Sequence, residues 1–158
     1  PQLHTLVQLP RVAALLSSMN LREAGLESAE KCIDGDHVDG SAGYSRCSTA
    51  VETDPFLAVD MGKARRVSYV AVYNTLLAEN NDLLGAFQIL TSNESSLGAA
   101  ATSVCAVGEA HPLASATRPI VVACAAYARF VVLRLPGQDR KLSIQELYVF
   151  SDDVSPHP

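Results

Sequence analysis

The sequence predicts an all-β sandwich in a single domain, and three observations carry that expectation. Short runs rich in β-branched and aromatic residues recur from residue 56 onward, two of them alternate apolar with polar residues at period two, and turn residues separate the runs at close intervals. Short strands so spaced suit a sandwich or a barrel. At 158 residues the chain has the commonest size for one domain and is long enough to bury its own core.

Taken in order, residues 1–10 read as an N-terminal extension, 11–151 as the domain and 152–158 as a C-terminal tail or linker, rich in Pro. A strand is expected over 11–17 and a helical turn over 21–30. A Gly-rich loop then runs over 34–44, and a structured loop of that length is more often functional than filler. Strands follow over 56–60, 66–73, 86–91, 102–107, 119–123, 127–135 and 143–150. Val67-Ser68-Tyr69-Val70-Ala71-Val72-Tyr73 and Ile144-Gln145-Glu146-Leu147-Tyr148-Val149-Phe150 each place apolar residues at every second position and should turn one face to a core. Arg129-Phe130-Val131-Val132-Leu133-Arg134-Leu135 is apolar almost throughout, as a central strand covered on both sides would be, and Pro136-Gly137 ends it.

Composition narrows the function classes. A net charge of −5 with twelve scattered Lys and Arg offers no basic field for a phosphate backbone, so nucleic acid is not an expected partner. The charge-poor stretch 119–127 falls short of the roughly 20 apolar residues that span a bilayer. Cys32, Cys47, Cys105 and Cys124 form no CxxC pair and have no His at metal-ligand spacing, so zinc fits poorly and two disulfides fit well. An oxidising, extracellular or cell-surface location follows, with any signal peptide already removed. Asn93-Glu94-Ser95 is a glycosylation sequon in a turn-like stretch. No Gly-x-Ser-x-Gly elbow, His-Glu-x-x-His helix or Gly-rich phosphate loop occurs, and His4, His111 and His157 lie far apart, so no enzymatic activity is expected.

Cys32-Ile33-Asp34-Gly35-Asp36, then Tyr44-Ser45-Arg46-Cys47-Ser48-Thr49, then Asp54-Pro55-Phe56-Leu57-Ala58-Val59-Asp60-Met61-Gly62 occur in an order and spacing that resembles the F-type lectin family and its wider discoidin-like relatives. The resemblance continues through residues 67–74 and through Ala126-Tyr127-Ala128-Arg129-Phe130-Val131, and it ends in residues 142–149. It implies a jelly-roll β-sandwich, discoidin-like, with ligand loops at one end. In F-type lectins a histidine and two arginines on those loops grip fucose. The corresponding positions here fall near Thr49, Thr75 and Asp82, so the usual set is absent and a different glycan or a protein partner is implied.

The resemblance also implies a Ca2+ site at Asp34, Asp36 and Glu146, completed by backbone carbonyls near Asp39 and Arg46, and hard carboxylate oxygens suit that ion. Lys31 stands where the family often has an Asn ligand, and its ammonium can weaken the site or replace the ion. The same carboxylates also read as a solvated Asp-Gly turn and a Glu paired with a nearby base. Cys105 and Cys124 match a disulfide of the family, and a loop of that length stabilises by roughly 3 kcal/mol. The family's partner for Cys47 lies where this chain has Gln145, which leaves Cys32 as its mate. Glu79, Asn80, Asn81 and Asp82 form a loop at the ligand end, and His37 and Arg46 lie on the other candidate binding loop, where each can meet a sugar hydroxyl or simply face solvent. The acidic 79–82 loop opposes insertion into an anionic membrane.

The expected function is therefore non-catalytic recognition of an extracellular glycan or glycoprotein, with Ca2+ holding the loops. The alternative is an adhesion or scaffold domain among other domains of a larger extracellular protein, with a vestigial sugar site; the non-Met start and Pro-rich end suit a fragment of such a chain.

Overall fold

The computed structural model describes residues 5–19, 28–36, 46–75, 83–95, 102–110 and 118–152. In chain order its strands are β1 (Val7–Gln8), β2 (Ala13–Leu16), β3 (Cys47–Ser48), β4 (Phe56–Asn74), β5 (Ala86–Ser92), β6 (Thr102–Glu109), β7 (Ile120–Arg134) and β8 (Ser143–Ser151). A 3-10 turn, Ala29–Cys32, lies between β2 and β3; the rest of the helical turn expected over 21–30 falls mostly outside the described residues. The strands pair antiparallel in the order β1-β8-β4-β7-β5-β6, with β2 added to β4 and β3 to β8.

Four expected strands merge into two. Runs 56–60 and 66–73 are both parts of β4, and runs 119–123 and 127–135 both fall on β7. The polar stretch after Asp60 breaks the apolar pattern without ending the strand. Gly62 takes a φ of +86°, which a side chain would resist, and its N–H donates to Asp60 Oδ1 at 2.8 Å. Register between β4 and β7 shifts between Asp60 and Arg65, and such irregularities bend a strand. The first half of β4 thus pairs with β2 and the end of β7, while its second half pairs with β8 and the start of β7. The sheet folds onto itself as two facing layers. Leu57, Val59, Ile89 and Leu133 of one layer share a buried cluster with Val70, Val72, Leu147 and Val149 of the other.

The two alternating runs each contain a slip. Val67 and Val70 both enter the core because the register shifts between Val67 and Tyr69, and Ile144 and Leu147 do so because a shift at Tyr73/Asn74 leaves Gln145 without an opposite residue. The far face of β8 is not solvated: every residue from Ser143 to Val149 is buried. The end of β7 is central as expected, with Val131, Leu133 and Leu135 in the main core and Val132 packed with Ala58 and Leu90 on the opposite face.

Both disulfides are present. Cys105–Cys124 links β6 to the first part of β7, the strands at the two open edges of the layers, and so closes the sandwich. Cys32–Cys47 joins the 3-10 turn to β3, with Cα atoms 5.5 Å apart, and pins the turn carrying Asp34 and Asp36 beside β8.

Candidate functional site

The loop end of the sandwich is built on buried polar residues. Arg46, Ser48, Thr49, Asn74, Thr75, Ser143, Gln145 and Glu146 are all buried there. Polar groups removed from water need partners, and most of those found are local. Ser48 Oγ donates to Ser143 Oγ at 2.9 Å. Thr49 Oγ1 donates to the Ala50 carbonyl at 2.8 Å and accepts the Leu142 N–H at 3.0 Å, which commits the hydroxyl to joining β3 and β8. The Thr75 N–H donates to Asn74 Oδ1 at 2.9 Å. The Gln145 amide has no hydrogen-bond partner among the described residues.

Glu146 is the charged centre of this end. Its side chain is fully buried and forms an ion pair with Arg11. The Gly35 N–H donates to the same oxygen, Oε2, at 2.9 Å, while Oε1 has no partner among the described residues. The Asp34-Gly35-Asp36 turn is shaped for that contact: the Asp36 N–H donates to Asp34 Oδ1 at 2.9 Å, Gly35 takes a φ of +85°, and Tyr148 Oη donates to the Gly35 carbonyl at 3.2 Å. Arg11 lies on the face of Tyr148, its guanidinium carbon 4.3 Å from the ring centre, and Tyr73 packs edge-on against the same ring. Burial pushes the Glu146 carboxyl up to about 7, against the pull of Arg11 and the Gly35 N–H, and the neighbouring Asp34 side chain adds to the rise.

The structure thus brings Asp34 and Glu146 together, beside Asp36, and adds Arg11, which the sequence presents only as part of a strand. Asp34 and Asp36 are exposed. Thr49, Thr75 and Arg46 are buried. His37, Asp39, Glu79, Asn80, Asn81 and Asp82 lie outside the described residues. Asn93 is exposed after β5, where its Nδ2 donates to the Tyr127 carbonyl at 3.3 Å and its Oδ1 accepts the Arg129 N–H at 3.0 Å.

Two further arginines escape sequence reasoning. Arg140 donates to the carbonyls of Leu84 at 2.7 Å, Ala86 at 2.6 Å and Pro136 at 3.0 Å, and so ties the chain entering β5 to the segment before β8. Arg134, held by two bonds to Gln88 Oε1, lines a depression of about 200 Å³ with Phe56, Asp54, Leu90, Thr102 and Val132. No local pattern announces either one, because each acts across strands distant in sequence.

No protein-family model matches the chain, and no curated protein matches it. Solved structures do. The fucolectin from striped bass (Morone saxatilis) serum matches with a TM-score of 0.73 and 23% identity over 88% of this chain, which spans 45% of that lectin's length. The lectin domain of lectinolysin, solved with Lewis B antigen, matches with a TM-score of 0.67 and 26% identity over 87% of this chain and 91% of that one. The family 32 carbohydrate-binding module of C. perfringens NanJ, solved with galactose, matches with a TM-score of 0.71 and 20% identity over 93% of this chain and 100% of that one. The chain is a discoidin-like jelly-roll β-sandwich, the fold on which F-type lectins and family 32 carbohydrate-binding modules are built.

Proposed function

We propose that this domain is a non-catalytic extracellular recognition module that binds a glycan or glycoprotein through the loops at the Glu146 end of the sandwich. The observation that carries this reading is the match, along nearly the whole of both chains, to a lectin domain solved with Lewis B antigen. Galactose in the NanJ module supports the same class of ligand. The two disulfides support an oxidising, extracellular location. The ligand differs from ordinary fucose recognition, because Thr49 and Thr75 replace long polar donors with short hydroxyls and both are fully buried. A glycan array probed with the whole chain tests the proposal: at least one glycan is bound, and Asn81→Ala or Asp82→Ala abolishes the signal.

The burial of Thr49 and Thr75 also favours a second reading, in which the sugar site is vestigial and the domain makes protein contacts in a larger extracellular protein. A chain that ignores every glycan on the array yet captures a defined extracellular protein supports this second reading and sinks the first.

A further inference from the structure

The described residues do not fit a calcium ion beside Arg11. Calcium takes about six to eight oxygens at about 2.3–2.6 Å. Here one guanidinium nitrogen, Arg11 Nη1, already occupies the buried carboxylate oxygen such an ion would use: it donates to Glu146 Oε2, and also to the Leu147 carbonyl at 3.0 Å and toward the Cys32 carbonyl at 3.5 Å. The Gly35 N–H fills a further position on Oε2, and Asp34 Oδ1 is turned to the Asp36 N–H. Among the described residues no three His, Cys, Asp or Glu side chains gather closely enough to hold an ion.

We propose that Arg11 is the resident cation of this loop and replaces the calcium ion that the family resemblance implies. Its side chain is only 7% exposed, and it reaches Glu146 across 135 positions of sequence. One positive group meets the buried carboxylate and two main-chain carbonyls, as a hard cation would. The guanidinium does more than a compact ammonium, because its carbon also sits over the Tyr148 ring while Nη1 donates to the oxygens. Arg11 lies two residues before the start of β2 and Cys32 is bonded to Cys47, so the turn at residues 33–36 is held by the chain itself, whatever the calcium concentration outside.

Thermal unfolding of the whole chain in millimolar calcium and in EDTA tests the proposal. The wild type is expected to unfold at the same temperature in both, within about 1 °C, because an ion without a site adds no binding energy to the native state. Arg11→Met is expected to lower the midpoint by about 10 °C, since it strands a buried carboxylate, and Arg11→Lys by less. A wild-type midpoint several degrees higher in calcium than in EDTA overturns the proposal, as does an Arg11→Met chain that melts with the wild type. Should Arg11→Met fail to fold, the wild-type comparison and the Arg11→Lys midpoint decide the matter.

Discussion

Arg11 with Glu146 and Arg129 with Asp60 are the same chemical pair in two settings. The exposed pair has the better geometry: Arg129 Nε and Nη2 donate to the two Asp60 oxygens at 2.9 and 3.0 Å, a two-pronged contact on side chains 44% and 19% exposed. The buried pair meets through one nitrogen on side chains 7% and 0% exposed. Their carboxyls nevertheless move in opposite directions. The hydrogen bond from Arg129 holds Asp60 below its ordinary value, whereas loss of water drives Glu146 up to about 7 even with an arginine beside it. Solvent, more than contact geometry, sets what a pair is worth.

The comparison can be broken most directly by removing each arginine. Arg11→Met is expected to cost about 3–5 kcal/mol in urea unfolding above a pH of about 7, where the Glu146 carboxyl is charged and loses its compensating partner. Arg129→Met should change stability little, and that little should fade as salt is added. Arg140 supplies an intermediate case, a cation that donates to several carbonyls at the loop root. Arg140→Met is expected to cost about 1–3 kcal/mol by stranding those acceptors.

Smaller effects should appear in the pH dependence, with opposite signs. Glu146 is raised in the folded state, so its contribution is fully present below the ordinary carboxyl range and is lost as pH rises through about 7. Glu146→Gln should flatten that decline when melting temperature is followed between about pH 5 and about pH 8. Asp60 is lowered, so its contribution is present above the ordinary range and fades as pH falls through the folded value. Asp60→Asn should flatten only the acid limb, and only slightly, because water reaches the pair.

The sequence carries the fold class and the central strand, because period-two alternation and apolar runs survive without coordinates, and the pairing of its four cysteines follows from the family resemblance. It does not reveal that β4 and β7 each run through both layers. The Gly62-Lys63-Ala64-Arg65 stretch resembles a turn, and only the paired strand shows that the chain bends there and continues. Glu146 stands out in the sequence, but Arg11 does not: a pair separated by 135 positions leaves no local pattern. Alignment places Thr49 and Thr75 at ligand positions, and alignment carries no measure of burial.

A double-mutant cycle on each pair tests the central claim that Arg11 and Glu146 form the internal clamp of the loop end. Arg11→Met, Glu146→Gln and the double variant should give a coupling energy of about 1–3 kcal/mol, while the corresponding cycle at Arg129 and Asp60 should give none that can be measured. Additive losses at Arg11 and Glu146 would mean that the carboxylate is not held by the guanidinium, and the account of this site would be wrong.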